Sequence, residues 1–131
     1  MIMEEVHILS TDKTPEVLLD PAGTIRIKGR GLSVMKTESS DQILEWIDLY
    51  VNNPAEVTYV IIRLEYLNSS STSTLFSILK KISQVILRSK KLIIKWYYEE
   101  GDDDILERGE YIAAALNIPF EYHLTHKSPE T

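Results

Sequence analysis

A run of hydroxyl side chains follows Asn68 in the segment YLNSSSTSTLF. Its members are Ser69, Ser70, Ser71, Thr72, Ser73 and Thr74. The residues before the run have the pattern of a strand and those after it the pattern of a helix. The first backbone N–H groups of a helix lack intrahelical partners, and a helix start carries about half a positive charge. Side chains at such a junction can cap the helix or carry an anion.

Two interpretations of the hydroxyl run follow from the residues alone. In the first, Asn68, Ser69 or Ser70 caps the helix, which typically contributes about 1 kcal/mol. Capping explains only part of the run, and it leaves unexplained why the first helical turns hold no Asp or Glu in a chain with 20 acidic residues. In the second, a phosphoryl group on Ser69 or Ser70 supplies the missing charge, about −1.5 to −2.

Composition limits the classes of protein to consider. A chain of 131 residues, 44% of them hydrophobic, can bury one substantial core, so we expect a single domain over residues 1–131. The net charge is −6 and LRSKK is the only dense basic stretch, so we expect no nucleic-acid partner. The absence of cysteine excludes disulfides, thiolate metal sites and a Cys nucleophile.

The expected location is cytoplasmic. The N-terminus MIMEEVHILS carries two acids where a secretory signal needs a basic region. No apolar stretch approaches the roughly 20 residues of a membrane-spanning helix. We therefore expect no membrane association.

The order of elements predicts an α/β domain. EVLLDPAGTIRIKG is typical of a hairpin that turns at Asp20-Pro21-Ala22-Gly23. A glycine-punctuated loop, GRGLSVMKTESS, leads to a helix that we expect to begin near Ser40, with Ser39 or Ser40 as its cap. The remaining chain alternates strand and helix through EVTYVIIRLEYL, the helix after the hydroxyl run, KKLIIKWYY, DILERGEYIAAALN and IPFEYHL, followed by a tail that we expect to be frayed from about Thr125. The hairpin followed by alternating helices and strands predicts a mixed sheet whose later strands are parallel and joined by helices.

Periodicity predicts which faces are buried. The helix after the hydroxyl run has an apolar stripe at Leu75, Ile78, Leu79, Ile82, Val85 and Ile86. The strand before it alternates, with Val60, Ile62, Leu64 and Tyr66 on one face. In the next strand, alternation directs Trp96 and Tyr98 to one face and Tyr97 to the other, which makes Tyr97 a candidate anchor at a protein interface.

Other candidate sites have weaker patterns. His7, His123 and His126 lack a fixed acidic partner, so we predict no metal site. GDDD lacks the alternating ligands and the closing Glu of a calcium loop, and we expect Asp103 or Asp104 to cap the following helix. The chain has no GxSxG elbow, Walker loop or GxGxxG, so we predict a non-catalytic protein without a cofactor. A small hydrolase or transferase with a Ser nucleophile, or a structural adaptor, are the alternatives.

Three segments together resemble a known family. YLNSSSTSTLFSILKKI, KWYYEEGDDDILERGEYI and PFEYHL look like the SiaC family of bacterial regulatory phosphoproteins, which are similar to the STAS fold of anti-sigma-factor antagonists. The resemblance covers most of the chain from the hairpin onward. The loop before the first helix usually resembles SYPEN in that family, whereas it reads GRGLSVMKTESSD here.

The resemblance implies a STAS-like fold and a partner-switching function. By position in LN[ST]SS, it implies that Ser69 is the phosphoacceptor, while the STAS pattern would select Ser70. Asn68, Ser70, Ser71 and Tyr97 are then the expected partner-binding residues. The implied partners are a serine/threonine kinase of the histidine-kinase-like ATPase type, a PP2C-type phosphatase and an effector such as a diguanylate cyclase, through which the family controls cyclic-di-GMP signalling and biofilm behaviour.

Overall fold

The computed structural model describes residues 3–12, 14–30 and 37–126, which form one six-stranded mixed sheet with three α-helices. The elements are β1 Val6–Ile8, β2 Glu16–Asp20, β3 Thr24–Gly29, α1 Thr37–Tyr50, β4 Val57–Leu64, α2 Ser69–Ile82, a 3₁₀ helix Ser83–Arg88, β5 Lys91–Glu99, α3 Asp103–Leu116 and β6 Glu121–Thr125. The predicted α/β class and mixed sheet are confirmed. Strand β1 was not predicted, because three residues are too short to show alternation.

The strands lie in the sheet in the order of the sequence, β1-β2-β3-β4-β5-β6. The first two pairs are antiparallel and the last three are parallel. Each of the three parallel connections therefore joins adjacent strands, and all three run in the same direction across the sheet. Because such crossovers are right-handed in nearly all proteins, the three helices lie on the same face of the sheet.

Burial agrees with this arrangement. On β2, β3 and β4 the residues facing one way are buried, while those facing the other way are half-buried or exposed. The buried side chains of the sheet form one core with those of the helices. The centre of this core contains the fully buried Leu19, Ile25, Ile27, Ile43, Ile47, Ile62, Leu75, Ile78, Leu79, Ile82 and Trp96. One face of the sheet is thus covered and the other is open.

The predicted hairpin turn is confirmed. The N–H of Gly23 donates to the carbonyl of Asp20 (2.9 Å), and the N–H of Ala22 donates to the Asp20 carboxylate (2.9 Å). Gly23 has φ +123°, and a Cβ there would lie 2.6 Å from the carbonyl oxygen of Val57. Glycine is therefore required both by the backbone conformation and by the close approach of the chain before β4.

Helix α1 begins earlier than predicted. It starts at Thr37 rather than near Ser40, so the prediction that Ser39 or Ser40 caps it is wrong, because both lie inside the first turn. The loop GRGLSVMKTESS falls largely on residues outside the described part of the chain. The helix stops at Tyr50, before Asn52-Asn53-Pro54.

Two predicted core residues are exposed. Tyr66 lies beyond the last residue of β4, where the alternation of the strand no longer holds, and its side chain is 57% exposed. Ile86 is 47% exposed because α2 ends at Ile82 and continues as a 3₁₀ helix. A 3₁₀ helix has about 3.0 residues per turn, which rotates Ile86 off the apolar stripe.

The C-terminal segment is ordered further than predicted. Strand β6 includes Thr125, whose hydroxyl donates to the carbonyl of Tyr98 (3.2 Å), so the chain is not frayed at that residue. The rest of the predicted tail lies outside the described residues. No helix in the described part of the chain is both long enough and apolar enough to cross a membrane.

Candidate functional site

The hydroxyl run lies at the first turns of α2, at the carboxyl end of β4. Asn68 is the N-cap residue, with φ −97° and ψ −177°, and its side-chain oxygen accepts from the N–H of Ser71 (2.8 Å). The Ser71 hydroxyl accepts in return from the N–H of Asn68 (2.8 Å). This reciprocal pair is a capping box, which satisfies two backbone donors at once. The prediction that Asn68 can cap the helix is confirmed.

Three residues of the hydroxyl run, Ser71, Thr72 and Thr74, form hydrogen bonds within the helix start. Ser71 is 1% exposed because of the capping box, which makes it a structural residue of the turn. The Thr72 hydroxyl donates to the carbonyl of Asn68 (2.7 Å), and that of Thr74 donates to the carbonyl of Ser70 (3.2 Å). Ser and Thr side chains inside helices commonly bond the preceding turn in this way. Half of the run is therefore explained by the local structure of the helix.

Ser69 and Ser70 differ from these three residues in the accessibility of their hydroxyls. Both are exposed at the first two positions of α2, and neither hydroxyl forms a hydrogen bond with any residue that the structure describes. Ser73, one turn later, is also exposed. The first turn contains no acidic residue. The two residues considered as phosphoacceptors are thus accessible and lie at the positive end of the helix dipole.

Ser69 lines a groove of about 300 Å³ between the end of β4 and the start of α3. Glu65, Tyr66, Leu67 and Asn68 form one side, and Asp102, Asp104, Ile105 and Arg108 form the other. Three acidic residues and one arginine therefore line the same groove as Ser69. Arg108 follows Asp104 by one helical turn, and this spacing was the signal in the sequence that could have placed both on one face.

The start of α3 is fixed against the sheet. The N-cap is Asp102, whose carboxylate accepts from the N–H of Ile105 (3.1 Å), so the prediction of Asp103 or Asp104 as the cap is wrong by one or two positions. Asp103 and Asp104 occupy the first turn instead, where the dipole favours acids. The buried indole of Trp96 donates to the carbonyl of Ile105 (3.0 Å), which holds the first turn of α3 beside β5.

The predicted division of the aromatic residues of β5 is confirmed. Trp96 is fully buried and Tyr98 packs against the core, while Tyr97 faces the open side of the sheet. The Tyr97 ring stacks on the His123 ring of β6 at 4.8 Å between centroids. Tyr97 is half-buried and does not line the Ser69 groove.

The three histidines contact different residues. His7 is hydrogen-bonded to Glu16 (3.0 Å) and His126 to Glu100 (3.0 Å). Among the residues that the structure describes, no group of three or more His, Asp or Glu side chains could hold a metal ion. None of the described histidines lines the groove that contains Ser69.

The fold and this turn define a small α/β domain that presents accessible serine hydroxyls at a helix start. Residues 8–125 match the sequence model of a family described as SiaC family regulatory phosphoprotein. The chain belongs to this family, and the predicted resemblance is confirmed. It is a regulatory protein family, and its function lies in signal transduction.

Relatives agree with the fold. An uncharacterized protein of Pseudomonas aeruginosa (strain UCBPP-PA14) is 24% identical over 119 residues, which cover 90% of this chain and 94% of the relative. The SiaC of Pseudomonas aeruginosa, in a crystal structure in complex with the diguanylate cyclase SiaD that it activates, has a TM-score of 0.81 at 22% identity, with 92% of this chain and 99% of that chain covered. Apo-SiaC from the same organism has a TM-score of 0.79 at 23% identity, with 92% and 99% covered.

Proposed function

We propose that this protein is a non-catalytic signalling switch that is phosphorylated reversibly on Ser69. A separate serine/threonine kinase of the histidine-kinase-like ATPase type adds the phosphate, and a PP2C-type phosphatase removes it. The unmodified protein binds an effector of the diguanylate cyclase type. The observation that carries the proposal is the exposed, unbonded hydroxyl of Ser69 at the start of α2, two residues before a serine that is buried in the cap.

The electrostatics of the groove support a switch. A phosphoryl group on Ser69 would bring about −1.5 to −2 charges into a groove that already holds Glu65, Asp102 and Asp104 against Arg108. The helix dipole and Arg108 favour the modified state within the protein, whereas a partner that covers the groove must desolvate this added charge. A difference of a few kcal/mol is enough to reverse a binding preference.

The relatives support the type of effector. SiaC of Pseudomonas aeruginosa is an activator of a diguanylate cyclase and shares the fold of this chain over nearly its whole length. Ser69, Ser70 and Asn68 lie on or beside the turn that a partner would contact, and Ser71 supports that turn from inside. Tyr97, on the open face of the sheet, is a second point of contact.

A nucleophilic role for Ser69 is the alternative. It would need a base that activates the hydroxyl. The titratable residues that line the groove are Glu65, Tyr66, Asp102, Asp104 and Arg108, and no described histidine lines it. The groove therefore suits a phosphorylated Ser69 better than a Ser69 that acts as a nucleophile.

The first experiment is intact-protein mass spectrometry with peptide mapping on the chain purified from its own cells, and again after incubation with the cognate kinase and ATP. We expect a gain of one phosphoryl group on the peptide that contains Ser69. Ser69→Ala should abolish the gain and Ser70→Ala should leave it. Because neither hydroxyl has a described bond, both variants should fold equally well. Phosphate on Ser70 would select the STAS register, and its complete absence would refute the switch.

A second experiment tests the direction of the switch. Each diguanylate cyclase of the host is purified and its product formation is measured with the unmodified protein, with the phosphorylated protein and with Ser69→Ala. We expect activation by the unmodified protein and by Ser69→Ala, and loss of activation on phosphorylation. Equal activation by all three would show that Ser69 does not control the effector.

A further inference from the structure

The outer edge of β6 is an open strand edge. β6 is the last strand of the sheet, and in the part of the chain that the structure describes no strand pairs with its outer side. It runs for five residues, Glu121–Thr125, whereas the opposite edge strand β1 has only three. Edge strands present backbone N–H and C=O groups to which another chain can pair, and very short edge strands limit this tendency. Of the two edges, β6 therefore offers the better template for a further strand.

The hydrogen bonds to β5 determine which residues of β6 face outward. The carbonyl of Thr125 accepts from the N–H of Glu100 (2.8 Å), so the backbone groups of Thr125 point toward β5. Along a strand, alternate residues direct both their N–H and their C=O to the same side. The backbone groups of Tyr122 and Leu124 therefore point away from β5, to the outer edge.

The same two residues carry exposed apolar side chains. Tyr122 is 37% exposed and Leu124 is 50% exposed. Their register partners on β5 are Trp96, which is buried in the core, and Tyr98, which packs against it. Tyr122 and Leu124 therefore lie on the helical side of the sheet, side by side along its edge. A strand added there would cover both side chains and pair both sets of backbone groups.

β6 is complementary to a second copy of itself. When two copies pair antiparallel over the full strand, His123 lies at the two-fold axis, and Tyr122 of each copy lies opposite Leu124 of the other. Opposite residues whose backbone groups both face the partner strand exchange both hydrogen bonds. The outward direction of Tyr122 and Leu124 thus permits this register. Glu121 lies opposite Thr125 of the other copy, so no carboxylate of β6 faces another.

We propose that β6 pairs with β6 of a second copy, which forms a dimer with one continuous sheet across the two-fold axis. A second copy places an apolar side chain opposite both Tyr122 and Leu124 by symmetry, and such cross-strand pairs stabilise a sheet. One short pair of strands is smaller than a standard interface, so we expect a dissociation constant of roughly 0.1–1 mM. No residue of β6 lines the groove of Ser69, so the dimer does not depend on the proposed switch.

The test is sedimentation equilibrium of the full chain from about 0.02 to about 1 mM, a range that spans the expected dissociation constant. The average mass should rise from that of the monomer toward that of the dimer and no further. In an NMR sample that mixes isotope-labelled and unlabelled chains, we expect intermolecular NOEs between the ring of Tyr122 and the methyl groups of Leu124.

Two variants and a control identify the surface. Leu124→Pro removes an N–H that β5 does not use, so the fold should persist while the dimer weakens by at least about tenfold. Tyr122→Lys should weaken it similarly, because lysine on an edge strand opposes pairing. The matched control is Tyr111→Lys, at a position of α3 that is 67% exposed, and it should leave the dissociation constant unchanged although it alters the net charge equally.

Three results would overturn the proposal. The first is a chain that stays monomeric at every concentration, and the second is an equal loss of dimer in Tyr111→Lys and Tyr122→Lys. The third is growth beyond the dimer, which would indicate that β6 pairs with β1 of the next copy in a contact that does not close. If Leu124→Pro fails to fold, Tyr122→Lys and the intermolecular NOEs decide.

Discussion

Gly109→Ala tests how α3 is held beside the groove of Ser69. Gly109 is a buried residue in the middle of α3, and a Cβ there would lie 2.6 Å from Cε2 and Nε1 of the Trp96 indole. Alanine in place of glycine normally stabilises a helix interior by about 1 kcal/mol. Here the added carbon meets a fully buried ring that is bonded to the carbonyl of Ile105.

The structure sets the sign and the size of the effect. Overpacking a core costs about 1–3 kcal/mol, and displacement of the indole sacrifices a hydrogen bond of about 1 kcal/mol. After subtraction of the gain in helix propensity, we expect Gly109→Ala to lower the free energy of unfolding by about 1–3 kcal/mol. In urea denaturation, with a slope of about 1–3 kcal/mol per molar, the midpoint should fall by about 1 M.

Two variants identify the cause. In a Trp96→Phe background the indole nitrogen is absent, so the additional cost of Gly109→Ala should shrink or change sign. Ala114→Gly, at an exposed position of the same helix, should cost about 1 kcal/mol through propensity alone. If Gly109→Ala raised the urea midpoint of the otherwise unaltered chain, the close contact with Trp96 would not constrain the helix and the reasoning would fail.

Two more predictions concern the cap of α2 and the acid of the open face. Ser71→Ala should lower the free energy of unfolding by about 1–3 kcal/mol, because it removes the buried hydroxyl that accepts from the N–H of Asn68 in the capping box. Ser69→Ala should change it by no more than about 0.5 kcal/mol, and equal costs in urea denaturation would contradict this division. A hydrogen bond to His7 and the charge of Arg26 hold the pKa of Glu16 below its ordinary value of 4.5. The ionised form therefore stabilises the folded state above about pH 4.5, and this contribution is lost as the pH falls through the lowered pKa. The melting temperature of Glu16→Gln should accordingly be lower than that of the unaltered chain at pH 7, and the difference should shrink as the pH falls below 4.5 and through the lowered pKa; a constant difference would exclude the carboxylate as the cause.

The sequence was sufficient where one local pattern decides the structure. The alternation in β4, the turn at Asp20–Gly23 and the apolar stripe of α2 up to Ile82 are all as predicted. The sequence was insufficient where the local structure depends on a segment that is distant in the chain but adjacent in space. The change to a 3₁₀ helix after Ile82 exposes Ile86, and strand β1 exists because β2 offers it an edge to pair with.

The candidate site shows the same limit. The residue pattern indicated that the hydroxyl run begins a helix, but it did not distinguish Ser71, which is enclosed in the capping box, from the accessible Ser69. The residue pattern also did not predict that Arg108 lies near Ser69, because Arg108 is on α3 and Ser69 is on α2. Only the parallel pairing of β4 with β5 places the segments that follow these strands beside each other.

The same pairing places the turn that contains Ser69 at the edge of the sheet where the neighbouring parallel strands also end. Parallel strands present their carboxyl ends together, so the residues that end β3, β4 and β5 and the turns that follow them share one edge. The alternation within β4 sends Leu64 into the core and Arg63 to the open face, while the chain leaving β4 reaches Ser69 within a few residues. Arg63 on the open face and Ser69 at the start of α2 are thus linked by a short segment of one strand and its turn.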